Sequence, residues 1–245
     1  MKSLAFSNLL GRRVVFPAVI LAVTLSMLPL VTSNVYAASD HSRHAPQKVS
    51  FRQHFKFALV GNQPPTDSQC RANFGVPCYS PQEIRDAYSV TPLLNAGYTG
   101  KGQSIVIIDS FGSPTILQDL QTFDAGYGLP DPPSLKVLAP LGTIQFDPNN
   151  SDMVGWAAET TLDVEWAHAL APSATIVLMT SPVSETEGVQ GLPEFLYLEE
   201  YALNHKLGKI VSQSWGATEN TLFTPGGRQI LNQFNDFSSK PVKSM

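Results

Sequence analysis

The chain has 245 residues, 43% of them apolar and 15% charged, with a formal net charge of −4. That is an ordinary globular composition, long enough for one large domain or two small ones. Without a long basic run it excludes nucleic acid as an expected partner, and 19 prolines with so little charge argue for loops rather than a helical bundle.

Lys2, Arg12 and Arg13 form a basic start, Val14 to Val31 is apolar and uncharged, and Val35-Tyr36-Ala37 puts small residues where a signal peptidase reads. That order predicts a secretory signal peptide over 1–37, hence a secreted, extracellular protein with no stable membrane association after cleavage. An uncleaved anchor is the rival, because the run approaches spanning length; Pro17 and Pro29 weaken it as a helix. Loss of three cations and no acid would leave the mature chain more acidic. Residues 38–78 read as an extended, polar N-terminal arm. Its two cysteines, Cys70 and Cys78, are the only ones in the chain, and export favours a disulfide between them over a metal site.

At Ser80 the texture changes. Ser80-Pro81-Gln82-Glu83 combines an N-cap serine, a proline at the first helical position and a glutamate at N3, so a helix starts there and reaches about Tyr88. Thr99-Gly100-Lys101-Gly102 is a turn. Ser104 to Asp109 is a buried, β-branched strand ending on an acid, and Ser113-Pro114 opens the next helix. Leu135 to Leu138 reads as a strand, Met153 to Leu170 as a helix, and Thr175 to Met179 as a strand. Pro193 to Lys206 is a helix with Gly208 past its end; Ile210 to Trp215 is a strand, and Arg228 to Phe237 an amphipathic helix. Strands alternating with helices predict an α/β fold, a parallel sheet covered on both faces. The last helix presents Ile230, Leu231, Phe234 and Phe237 on one face, which predicts a partner surface and a sheet that is incomplete on its C-terminal side.

The segment Gly155–Leu170, GWAAETTLDVEWAHAL, carries the chemistry. Glu159 and Asp163 stand at i and i+4, so they meet on one helix face, with Trp156, Trp166, Ala167 and Leu170 near that side. Two half-buried carboxylates resist ionising together and titrate as a pair. Glutamate, with a reference pKa near 4.3, remains a base where imidazole would be protonated. By spacing alone the pair is equally a solvated acidic face. His168 lies close in sequence, and a Glu159/Asp163/His168 metal site is a further reading without a motif behind it. Asp109 falls at the carboxyl end of a strand, where open α/β sheets place ligand-binding groups.

From about Tyr79 onward the chain resembles the sedolisins, serine-carboxyl peptidases that share the subtilisin fold. The resemblance rests on Tyr88-Ser89-Val90, on Ala96-Gly97-Tyr98-Thr99-Gly100-Lys101-Gly102-Gln103 and on Ile105 to Asp109. It continues in Glu159-x-x-x-Asp163 leading to Ala169-Leu170-Ala171-Pro172-Ser173-Ala174, and in Val211-Ser212-Gln213-Ser214-Trp215-Gly216. It implies a subtilisin-like, doubly wound parallel sheet over 79–245. Glu159 would be general base to a serine and Asp163 would hold and polarise it, with Asp109 and Trp215 extending the hydrogen-bonded chain. The backbone of Ser214, Trp215 and Gly216 would form a cleft wall that pairs with extended peptide or unfolded protein substrates.

The family's Gly-Thr-Ser-Ala-Ser nucleophile stretch does not occur in these residues. In relatives the oxyanion aspartate and the calcium loop also come later than the segments matched here, so no cofactor is expected within this chain. The stretch between Ala37 and Tyr79 is short for the family's folded prosegment. These departures imply a truncated peptidase domain, inactive by itself; the alternative is a non-catalytic secreted peptide-binding protein.

Overall fold

A computed structural model describes residues 64–185, 189–216, 220 and 223–239, all within one unit, His44–Met245. The signal peptide expected over 1–37 and the arm as far as 63 lie outside the described residues. Four parallel strands form one sheet in the order β2-β3-β1-β4: β1 is Ser104–Ser110, β2 Leu135–Leu138, β3 Thr175–Ser181 and β4 Ile210–Gln213. Inner strands β1 and β3 pair along their whole lengths, Ser104 opposite Thr175 through Ser110 opposite Ser181. Each carries an unbroken apolar run, Ile105 to Ile108 and Ile176 to Met179, as a strand covered on two faces must.

The pleat sorts their side chains into two cores. Ile107, Ile176 and Leu178 pack with Ile116 and Leu120 of α4 (Ile116–Tyr127) and Val164 of α5 (Ser151–Leu170). Val106, Ile108, Val177 and Met179 point the other way, onto Phe195, Leu198 and Ala202 of α6 (Leu192–Asn204). Burying each such side chain is worth about 1.5–3 kcal/mol, so neither helix layer can leave without exposing half the sheet. Helices therefore cover both faces, and the structure is a doubly wound α/β sheet with β2 and β4 at its edges. Since α4 leaves β1 toward one face and α6 leaves β3 toward the other, the topology switches between these neighbours, the place where open α/β sheets bind ligands outside the strands' carboxyl ends.

Several boundaries differ from the sequence expectation. The arm predicted as extended through 78 contains a helix, α1 (Asp67–Phe74). Thr66 and Gln69 close a reciprocal capping box there, which a polar, aperiodic stretch conceals. Cys70, buried in α1, is bonded to Cys78 with Cα atoms 5.7 Å apart, so the bridge ties one helix to the approach of the next. That next helix, α2 (Pro81–Ala87), has its Ser80–Glu83 capping box, and Arg85 reaches from it to the Ala169 carbonyl at the end of α5. A short helix, α3 (Thr91–Asn95), follows where sequence reading placed none. Gly208 is not a helix cap: α6 ends at Asn204, and a Cβ on Gly208 would lie 2.7 Å from the Ser104 carbonyl oxygen, so the glycine lets the chain cross the start of β1.

The final helix, α7 (Pro225–Ser239), packs against α6. Ile230 is buried and Leu231 half-buried, so this face is not unpartnered; the side chains of Phe234 and Phe237 lie outside the described residues. No described helix is long and apolar enough to cross a membrane.

Candidate active site

Three acids converge at the carboxyl end of β1. Asp109, an odd-numbered residue of that strand, points to the same side of the sheet as Ile107, toward α5, and is fully buried. From α5 come Glu159 and Asp163, one turn apart and both half-buried. Between them in sequence stands Thr160, fully buried against the strand. The register explains the convergence: Val164 anchors α5 on Ile107 and Ile176, which brings the turn before it over Asp109.

β4 stops at Gln213, two residues short of the expected end. Freed from the ladder, Ser214 turns its hydroxyl to Asp163 and donates to Oδ1 at 2.9 Å. Trp215 packs edge-on against Phe195, ring centroids 6.3 Å apart, and belongs to the α6 side of the core. Ser214, Trp215 and Gly216 are all half-buried. Trp156, a turn before Glu159, donates through its indole to the Glu185 carbonyl at 3.3 Å. Trp166 turns away to Phe123 of α4, so the two tryptophans do not share the acidic side.

Electrostatics make the three acids one titrating unit. Burial, then the Asp163 charge, pushes the Asp109 carboxyl well above the ordinary aspartate range. Neither Asp109 oxygen, nor the Thr160 hydroxyl, nor Asp163 Oδ2 has a hydrogen bond of ordinary geometry among the described residues; Thr160 lies near enough only to temper the Asp109 shift. Glu159 is raised by burial and then by Asp163, against a downward pull from Ser214. Asp163 is raised by burial and drawn back by the Ser214 hydroxyl and by Asp109. A buried carboxyl with no donor keeps its proton, whereas one that accepts from a hydroxyl keeps its charge more cheaply. Proton affinity is thus raised at all three acids, well above the ordinary range at Asp109, with Asp163 held back by the Ser214 hydroxyl and Glu159 half-exposed to solvent. The unit can accept a proton from a hydroxyl brought to Glu159.

His168 does not join them. It is fully buried on the opposite side of α5, its Nε2 2.8 Å from the Pro130 carbonyl oxygen and 3.2 Å from Asp124 Oδ1. Of these contacts only the one to Pro130 has hydrogen-bond geometry, so Nε2 donates there, on the side of α5 away from Glu159 and Asp163, and the ring is lost to the Glu159/Asp163/His168 metal reading. No group of three metal-ligating side chains occurs among the described residues. A cavity of about 180 Å³ lies away from the acids, lined by Glu199, Leu203, Val211 and Gln213 at the β4 edge.

Sequence reading named Glu159, Asp163, Asp109, Ser214, Trp215 and Gly216, and the structure gathers the three acids with Ser214. It missed Thr160 and the Ser214 side chain as parts of the acid unit. Thr160 follows Glu159 directly, and its place on the strand-facing stripe of α5 was the available signal. No family model and no curated protein matches the chain.

Proposed function

We propose that this chain carries the acid–base half of a secreted serine-carboxyl endopeptidase of the sedolisin kind, with a subtilisin-like sheet. The observation that supports the reading is the Asp109–Asp163–Glu159 unit at the carboxyl end of β1, buried at Asp109 and half-buried at the other two, with Ser214 hydrogen-bonded into it. Glu159 takes the proton of an attacking serine hydroxyl; Asp163, charged beside it, stabilises the resulting acid; Asp109 holds its own proton behind them. The serine oxygen then bonds to the peptide carbonyl carbon, the C–N bond breaks as Glu159 gives its proton to the leaving amine, and water releases the acyl group from the resulting acyl-enzyme. That serine belongs to a Gly-Thr-Ser-Ala-Ser segment not found among these 245 residues, so the chain alone hydrolyses nothing. Substrate lies extended along Ser214-Trp215-Gly216, bound through backbone pairing.

The test is casein hydrolysis at about pH 3–5 by a version restored to include that segment, compared with Glu159→Gln. The expected loss in kcat is at least about 10³-fold, as for removal of a base in a serine hydrolase. Because Glu159 binds its proton more tightly than a free glutamate and must be ionised to act, the rate should rise through a midpoint above 4.5. Proteolysis untouched by the substitution ends the proposal. A non-catalytic peptide-binding role is the second reading. The edge strand β4 favours it, since Ile210 and Val211 are exposed there and, among the described residues, no strand pairs with its outer side.

A further inference from the structure

Serine at 214 contributes a backbone to the cleft wall in the reading above, but its side chain is already committed elsewhere. The hydroxyl donates to Asp163 Oδ1 at 2.9 Å, the one hydrogen bond of ordinary geometry that Asp163 receives among the described residues. The groups facing Asp163 are Asp109 from β1 and Glu159 from its own helix, both acids; Ser214, from the segment after β4, is the donor that opposes them.

We propose that Ser214 is a positioning residue of this acid unit, holding its negative charge on Asp163 so that Asp109 keeps a proton and Glu159 exchanges one. The inference rests on the acid–base reading of the Glu159/Asp163 pair and adds to it the side chain that decides where the charge resides. The physical reason is the asymmetry of donors. Three carboxyls share a partly buried site, and a hydroxyl donating to Asp163 Oδ1 stabilises the ionised form of that group most directly, while it draws Glu159 down as well. The placement is mechanical as well: β4 ends at Gln213, so the next residue is free of ladder bonds and can rotate to α5. The downward pull of Ser214 on both Asp163 and Glu159 accords with this.

The experiment follows carboxyl carbon signals of the full ¹³C-labelled chain by NMR between about pH 3 and 9, a range spanning ordinary and raised carboxyl values. Asp163→Asn and Glu159→Gln assign the signals. Ser214→Ala should raise the Asp163 midpoint by about one pH unit, a tenfold gain in proton affinity, and move Glu159 in the same direction. Ser214→Thr, which keeps the hydroxyl, should restore both. Unmoved midpoints in the alanine variant, or a threonine variant that shifts as far as alanine, overturn the proposal. If alanine abolishes the near-ultraviolet dichroism of the fold, Ser214→Cys serves instead, being similar in shape and a weak donor; an upward shift supports the proposal and its absence refutes it. Midpoints that move while Glu159→Gln leaves proteolysis intact in the restored version would remove the catalytic reading and leave Ser214's hold on the charge standing.

Discussion

Helix α5 carries two acid clusters on opposite sides, and their chemistry diverges although their spacing is alike. Toward the sheet's carboxyl ends stand Glu159 and Asp163, with Asp109 below and the Ser214 hydroxyl above. Toward α4 stand Glu165 and His168, with Asp119 and Asp124 opposite. On the first side a donor and a half-open surface leave a charge that can be placed and a glutamate that solvent can reach. On the second, burial pushes Glu165 up to about 8 and Asp124 to about 7, while it holds the imidazole below its ordinary value. That second cluster is packing, with its one reliable bond spent on the Pro130 carbonyl. Titratable residues a turn apart therefore say little about catalysis until one knows who donates to them and which of them water can reach.

The comparison can be broken most forcefully at His168. His168→Ala leaves a cavity where a fully buried ring stood and takes the donor from the Pro130 carbonyl, so we expect a loss of about 3 kcal/mol in denaturant unfolding. The Glu159 and Asp163 midpoints should not move; a shift there would mean the two sides are coupled through the helix.

A smaller effect is expected from pH. Asp124 and Glu165 bind protons more tightly when folded, so their contribution is complete below the unfolded carboxyl values near 4. It is lost as pH rises through about 7 and about 8. His168, kept neutral by burial, works in the opposite sense below its unfolded value near 6.5. Between about pH 6.5 and 9 stability should fall by on the order of 2 kcal/mol, allowing for partial solvent screening. Asp124→Asn should flatten that decline, and a Tm that stays level with pH in the unmutated chain contradicts the assignment.

The smallest effect is expected at Thr160. Its buried hydroxyl has no ordinary hydrogen bond, so the near-isosteric Thr160→Val should change stability by less than about 1 kcal/mol. Because that hydroxyl tempers Asp109, the Asp109 midpoint should rise further. A large destabilisation would show the hydroxyl to be a structural bond after all.

Much of the scaffold was legible because its signals are local. The Ser80-Pro81-x-Glu83 box, the β-branched run at Ser104–Asp109 and the long periodic helix ending at Leu170 each carry their own reasons to form. Helix α1 was missed since its Thr66–Gln69 box sits in a stretch without apolar period, where Cys70 alone is buried. Gly208 was misassigned because a close approach to the Ser104 carbonyl leaves no mark in nearby sequence.

Sequence by itself determined the α/β alternation, the buried inner strands and the pairing of Glu159 with Asp163 on one face, since periodicities of 2 and 3.6 fix which side chains travel together. Only the tertiary structure decided that Asp109 faces the pair, that Ser214 donates to it and that His168 is spent on the far side. Those outcomes depend on which face α5 lays on the sheet and where β4 stops. They join residues about 50 positions apart, a distance over which no local preference carries information.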